Sequence, residues 1–145
     1  MPTAEFGVRV VTPDGEAWRG RATSVVIPGL DGYFGVWRGH SPLIAAMDIG
    51  HVMIKTPEEH VLTMLAVAGG FVEIDRDGVA LLAESAEIAT DIDVIRATHA
   101  ADRARERLSK HFADIDVPRA EVALKKALNR KRVADRAKAK PTEMV

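Results

Sequence analysis

The sequence predicts two structural units, an all-β N-terminal domain and a C-terminal hairpin of two α-helices. Over the first 89 residues, apolar residues alternate at every second position in short runs, and from about residue 90 they recur every three or four positions. The sign of the charge reverses at nearly the same point. Residues 1–95 contain 6 Lys/Arg and 14 Asp/Glu, whereas residues 96–140 contain 14 and 6. We therefore expect a β domain over residues 1–89, a helical domain over 90–140 and a flexible tail over 141–145.

The β domain is predicted from its alternation and its turns. Phe6, Val8 and Val10 share one face of a first strand, and a run from Val61 to Val67 alternates in the same way. Turn sequences separate these runs, at 13–15, 28–29, 31–32 and 77–78. The Asp-Gly pair at 77–78 lies between two apolar runs, which indicates a β-hairpin. Short strands without intervening helices are typical of an antiparallel sandwich or barrel.

Two helices are predicted from the change of period. Thr90 followed by Asp93 fits a capping box at the start of the first helix. Asp116 can cap a second helix, with Pro118 in its first turn. The apolar stripes are rich in alanine: Val94, Ala97, Ala101, Ala104 and Leu108 on the first helix, and Ala120, Leu124, Ala127 and Leu128 on the second. Alanine buries little area, so we expect this hairpin to need a surface on which to dock.

The composition excludes several kinds of site. The chain has no cysteine, which removes disulfides and thiolate metal sites. It contains no apolar run of about 20 residues and no signal-peptide pattern, so any association with a membrane is expected to be peripheral, without direct insertion.

A metal-dependent enzyme is one alternative. The candidate ligands are His40, His51, His60, Glu58 and Glu59. No His-x-His or His-x-x-x-His pair is present, and a structural role for His40 in its Gly-Pro turn fits better. We therefore expect neither a metal site nor catalytic residues.

A nucleic-acid module that uses the basic helices is a second alternative. Aromatic residues form only 5% of the chain. The two tryptophans lie in the acidic β domain, away from the lysines, so a platform for base stacking is not expected.

The segment from Asp31 to Leu43, Asp-Gly-Tyr-Phe-Gly-Val-Trp-Arg-Gly-His-Ser-Pro-Leu, resembles the signature of epsilon subunits of F-type ATP synthases. The family has Gly-x-x-Gly followed by Pro-Gly-His-x-Pro-Leu, and Arg38 stands where proline is usual. Val11–Gly15, Ala68–Ile74 and Ala120–Leu124 are similar to further family segments. The resemblance covers essentially the whole chain in order.

The resemblance implies a β-sandwich of about ten strands followed by two helices, and a non-catalytic place in the central stalk of the rotor. The implied partners are the gamma subunit, the c-ring subunits and the alpha and beta subunits of the catalytic head. The implied location is peripheral, on the cytoplasmic face of a bacterial cell membrane. Gly39, His40, Pro42 and Leu43 are the expected rotor interface.

The resemblance also implies that the helical domain moves between a folded hairpin and an extended form that blocks ATP hydrolysis. A helix this basic favours an acidic partner, and the family supplies one on the beta subunit. The cations expected to contact the catalytic head are Lys125, Lys126, Arg130, Lys131, Arg132 and Arg136. A purely structural coupling subunit, without inhibition or ATP binding, is the alternative.

The segment Ile92-Asp93-Val94-Ile95-Arg96-Ala97 matches the motif of epsilon subunits that bind ATP. No cofactor is expected to be required, and ATP is the regulatory ligand that this match implies. The positions that correspond to the family's ATP contacts are Glu87, Asp93, Arg96, Ala97, Arg103, Lys126 and Arg130. Lys126 stands where ATP-binding members have arginine, so it keeps the charge and loses the bidentate geometry.

Overall fold

A computed structural model of the chain describes residues 4–58, 62–110 and 114–138. Parts of the sequence interpretation depend on residues outside these ranges. They are the tail over 141–145 and Glu59, His60 and Val61. The described part consists of ten strands, one turn of 3₁₀ helix and two α-helices. The predicted fold class is therefore confirmed.

The ten strands form two five-stranded sheets packed face to face. Their order is β2-β1-β9-β8-β5 in the first sheet and β10-β7-β6-β3-β4 in the second. The bounds are β1 (Phe6–Thr12), β2 (Gly15–Ala22), β3 (Ser24–Gly29), β4 (Gly32–Val36), β5 (Leu43–Ala46), β6 (Gly50–Lys55), β7 (Leu62–Ala68), β8 (Phe71–Ile74), β9 (Gly78–Leu82) and β10 (Ser85–Ile88). Neighbouring strands are antiparallel except β1 and β9, which run parallel with Val8 opposite Val79.

The hairpin predicted around Asp77-Gly78 joins β8 to β9. The Asp75 carboxylate accepts hydrogen bonds from the backbone N–H groups of Asp77, at 2.7 Å, and Gly78, at 3.1 Å. Gly78 has a φ of 145° and approaches the backbone of Gly7 on the next strand. A side chain at this position would clash with that backbone, so the turn requires glycine here.

The main core lies between the two sheets. On β1, Phe6, Val8 and Val10 are buried while Arg9 is exposed, as the alternation predicts. The largest fully buried side chains of this core are Val10, Val25, Ile27, Val36, Val52, Ile54, Leu65, Val67, Val72 and Leu81.

The helices follow as α1 (Val94–Lys110) and α2 (Val117–Ala137), after a 3₁₀ turn over Ala89–Asp91. Asp116 caps α2, since its side chain accepts a hydrogen bond from the Arg119 N–H, and Pro118 lies in the first turn. The prediction that Thr90 caps α1 is wrong. Asp93 is the capping residue, and its Oδ1 accepts from the Arg96 N–H at 3.1 Å. Thr90 lies within the 3₁₀ turn, and α1 begins only at Val94.

The two helices form a third layer on the second sheet. The buried positions of α1 are the alanines Ala97, Ala101 and Ala104, and α2 packs against α1 with Ala120 and Ala127 among its own buried residues. The other side of α2 contacts β6, β7 and the 3₁₀ turn. Helix α2 is thus held between α1 and the sandwich.

Candidate functional site

The contact between α2 and the second sheet brings together four of the predicted functional residues, Glu87, Lys125, Lys126 and Arg130. A small apolar cluster forms its base, in which Met64 and Ala66 of β7 pack with Val133 and Ala134 of α2 and with Ile92. Because the helix covers its outer face, β7 is buried on both sides from Met64 to Ala68. We call this contact the docking interface.

Three polar contacts run along the docking interface. Lys125 lies 3.5 Å from the Asp48 carboxylate, Asn129 donates from Nδ2 to the Gly50 carbonyl oxygen at 2.8 Å, and Arg130 pairs with Glu87. Asn129 is only 5% exposed and its partner lies 79 residues earlier in the chain. Sequence reasoning missed this asparagine, because a single amide within a basic helix gives no sign that it is buried.

The Arg130–Glu87 pair is bidentate. Arg130 donates from Nε to one Glu87 oxygen at 2.7 Å and from Nη2 to the other at 2.9 Å. The hydrogen bonds that Arg130 donates to Glu87 raise the pKa of Arg130, burial lowers it, and the charges of Glu87 and Asp93 raise it further. Both side chains keep about a third of their surface exposed. The pair joins the edge strand β10 to α2 with planar, two-point geometry.

A cavity of about 240 Å³ opens beside this pair. Three of the predicted ATP-contacting residues, Glu87, Lys126 and Arg130, line it. The β1–β2 turn also contributes Thr12 and Asp14, and the floor consists of small residues of β7 and β10. No pattern in the sequence connected this turn with the helical domain.

The remaining predicted ATP contacts lie elsewhere. Ala97 is buried between the helices, whereas Arg96 and Arg103 are exposed on α1 and do not line the cavity. Asp93 is engaged as the N-cap of α1, although its charge reaches Arg130. The structure thus gathers a cationic and acidic cluster at β10 and α2, with two further arginines outside it.

The six cations expected to contact a catalytic head lie in two environments. Lys125 and Arg130 are paired with carboxylates of the sandwich, and Lys126 and Lys131 are partly covered. Arg132 and Arg136 are exposed. The acidic sandwich therefore supplies an acidic partner for the basic helix within the chain itself.

The loop between β4 and β5 carries the predicted rotor-interface residues. Gly39, His40 and Pro42 are exposed, and Gly39 has a φ of 89°. The His40 ring lies 2.7 Å from the Ser41 carbonyl oxygen through Nδ1, and its backbone N–H donates to the Trp37 carbonyl. Leu43 is 38% exposed at the start of β5.

Near this loop the outer face of the first sheet is apolar. Ile44, Phe71 and Leu82 are 72%, 57% and 45% exposed, and Phe71 lies opposite Leu82 across β8 and β9. We call these three residues the apolar patch. A contiguous exposed patch of large apolar side chains is typical of a protein–protein contact.

A wider depression of about 640 Å³ lies elsewhere on the first sheet. Its lining includes Arg19 and Arg21, which pair with Glu16 and Glu5 on the surface. Such exposed ion pairs contribute little and form no site.

Neither a metal cluster nor a membrane-spanning helix is found among residues 4–58, 62–110 and 114–138. Of the histidines considered as ligands, His40 is bonded to the backbone and His51 to Tyr33.

Comparison with known proteins gives the family. The model of the β-sandwich domain of the ATP synthase delta/epsilon chain matches residues 5–89, and that of its long α-helix domain matches residues 90–135. The ATP synthase epsilon chain of Halalkalibacterium halodurans is 42% identical over 94% of this chain and 100% of its own length. That of Syntrophomonas wolfei is 37% identical over 94% and 98%.

A solved structure shares the fold. It is a chain of the Euglena gracilis mitochondrial ATP synthase, seen in an OSCP/F1/c-ring assembly, with a TM-score of 0.76 at 18% identity over 89% of this chain and 81% of that one. The two family models match the β-sandwich and the helical hairpin of this chain in the order described above. The chain therefore belongs to the family of ATP synthase delta/epsilon chains.

Proposed function

We propose that the chain is a non-catalytic subunit of the central stalk of an F-type ATP synthase, and that its helical hairpin restrains ATP hydrolysis. The docking interface is the observation that supports this most directly. The cations that would meet an acidic surface of the catalytic head include two that are held by carboxylates of the chain's own sandwich. The same helix therefore has two alternative acidic partners.

The sandwich is the proposed anchor. Its apolar patch lies on the first sheet, on the side opposite the helices, and would contact the gamma subunit. The adjoining loop, with Gly39, His40, Pro42 and Leu43, would contact gamma and the c-ring subunits. This arrangement keeps the protein peripheral, on the cytoplasmic face of the membrane, and leaves the hairpin free of the anchoring contacts.

The hairpin is the proposed mobile element. Alanines dominate the buried positions of both helices, so their separation exposes little apolar area for each residue. Undocking exposes one small cluster and breaks three polar contacts. In the extended form, Lys125, Lys126, Arg130, Lys131, Arg132 and Arg136 would contact the alpha and beta subunits.

ATP is the proposed regulatory ligand of the docked form. Its contacts would be Glu87, Asp93, Arg96, Ala97, Arg103, Lys126 and Arg130, with Thr12 and Asp14 added at the cavity wall. The cavity of about 240 Å³ is smaller than the roughly 300–1,000 Å³ of typical ligand pockets, so only part of a nucleotide would enter it. A ligand that contacts both β10 and α2 selects the docked hairpin.

Truncation tests the inhibitory function. Removal of residues from Asp91 onward is expected to leave assembly through the sandwich intact and to raise the rate of ATP hydrolysis by the complex. The measurement is steady-state hydrolysis by complexes with the full-length and the shortened chain at equal occupancy. Unchanged hydrolysis would support the alternative, a structural subunit that joins gamma to the c ring without inhibition.

Calorimetric titration of the full-length chain with ATP tests the ligand. We expect Arg96→Ala and Arg103→Ala to weaken binding by about tenfold each, as for the loss of one charge-assisted phosphate contact. Arg105→Ala is the matched control, because Arg105 is an exposed arginine of the same helix that is not among the proposed contacts. Absence of heat with all four proteins would remove the nucleotide site and leave the rotor function standing.

A further inference from the structure

His51 lies at the docking interface and has no part in the proposed function. It is on β6, directly after Gly50, whose carbonyl accepts the hydrogen bond from Asn129. Its ring stacks on Tyr33 with centroids 4.6 Å apart, and its Nδ1 lies 3.0 Å from the Tyr33 hydroxyl. The same hydroxyl accepts from the His51 backbone N–H at 3.2 Å, so its own proton is free to point at Nδ1.

The path of α2 along β6 brings arginines to His51. Lys125 contacts Asp48, Asn129 contacts Gly50, and Val133 packs in the cluster that Met53 joins. Successive turns of the helix thus follow the chain from Asp48 to Met53. Positions 132 and 136 lie one turn apart, three and seven residues beyond Asn129, and both are arginines.

The charged groups around the ring are cations. The charges of Arg136 and Arg132 on α2 act on the ring, Tyr33 is its neutral partner on β4, and the uncharged Ala66 lies opposite on β7. Asp48, two residues before β6, is engaged by Lys125 and by the backbone N–H of Ile49. Burial first, and then the charges of Arg136 and Arg132, lower the pKa of His51.

We propose that His51 is a proton-sensitive latch, over which α2 docks while the imidazole is neutral and from which it is released when the imidazole is protonated. An imidazolium would add a third positive charge beside the guanidinium groups of Arg132 and Arg136, which disfavours the docked form. The added charge would lie on β6, the strand whose Gly50 holds Asn129. Acidification therefore weakens the docking interface at its polar centre.

The direction of the pH effect on docking follows from the difference in the His51 pKa between the docked and the undocked form. Once α2 has left, the His51 pKa returns toward the ordinary value of about 6.5, which is higher than in the docked form. The undocked form therefore binds the proton more tightly, and docking is strongest above the ordinary pKa. The stabilisation declines as the pH falls from the ordinary pKa toward the lower pKa of the docked form.

Hydrogen exchange in the full-length chain tests the latch. Amide protection of α2 is measured at about pH 7.5 and 5.5, corrected for intrinsic exchange, in the wild type, in His51→Gln and in His99→Gln. His99 is an exposed histidine of α1 and serves as the matched control. We expect protection of α2 to fall about three- to tenfold more on acidification in the wild type and His99→Gln than in His51→Gln. Equal losses in all three proteins would overturn the proposal.

An NMR titration of the His51 ring in the wild type tests the same point without substitution at this position. A pKa below the ordinary value, which rises toward it in Arg132→Gln/Arg136→Gln, is expected. A ring that titrates at its ordinary value in both proteins contradicts the latch.

The effect of the latch on hydrolysis rests on the proposed function. If exchange responds to pH through His51 while hydrolysis by the assembled complex has the same pH dependence in the wild type and in His51→Gln, the latch stands and the inhibitory function fails.

Discussion

Asn129 is a buried polar side chain whose hydrogen bond joins the two domains directly. Its replacement by leucine keeps the approximate volume and removes the hydrogen bond that the helix donates to the Gly50 carbonyl. We expect Asn129→Leu to weaken the docking of α2 by about 0.5–1.5 kcal/mol, the usual net contribution of one intramolecular hydrogen bond. The measurement is amide protection of α2 relative to that of β1, which belongs to the other sheet.

Glu121→Leu is the matched control for that change. It places the same side chain on an exposed position of the same helix, where we expect an effect within about 0.5 kcal/mol. Equal protection of α2 in the wild type and Asn129→Leu would mean that the bond to Gly50 does not hold the helix down.

The sequence predicted the capping residue of one helix correctly and that of the other wrongly. Asp116 could be assigned as a cap because an acidic residue precedes a first-turn proline. Thr90 and Asp93 are both good capping residues, and sequence alone favoured the wrong one. Ile92, which is only 8% exposed, is held in the cluster beneath α2, and this tertiary contact sets the helix start at Val94.

At the scale of elements, periodicity was sufficient for the strands and helices and insufficient for their outer contacts. The run from Leu62 to Ala68 is apolar at every position except Thr63, and it is buried continuously from Met64 onward because α2 covers the second face. A nearly continuous apolar run is typical of a strand buried on both faces, and the interpretation of this run as alternating missed that signal. The need of the alanine-rich hairpin for a docking surface was predictable, whereas the surface that it uses was not.

The candidate site shows the same limit. Lys126 and Arg130 are four residues apart on one helix, so their common face was predictable. Their proximity to Glu87 entered only through the family resemblance, because the pair spans 43 residues. The contribution of Thr12 and Asp14 to the cavity depends on how the β1–β2 turn reaches the second sheet, and no local pattern encodes that.

At the scale of the whole molecule, the near-zero net charge conceals an acidic sandwich and a basic hairpin. The balance is −8 over residues 1–95 and +8 over residues 96–140. Two of the three polar contacts of the docking interface are ion pairs between these parts, Lys125–Asp48 and Arg130–Glu87. Their side chains are partly exposed, so dissolved salt screens them. The sandwich core, in contrast, is held by apolar contacts that have little dependence on moderate salt.

We therefore expect sodium chloride to act selectively on the hairpin. Between about 50 mM and 500 mM, the Debye length falls from roughly 14 Å to 4 Å, and α2 protection should fall about two- to fivefold while that of β1 stays constant. The comparison is with Asp48→Asn/Glu87→Gln, in which both ion pairs are gone and the undocked fraction should be larger and nearly independent of salt. If that variant keeps the salt response of the wild type, the response comes from the general field of the two domains and not from these pairs. If salt lowers protection of both domains alike, the hairpin and the sandwich open as one unit, which contradicts a separately mobile hairpin.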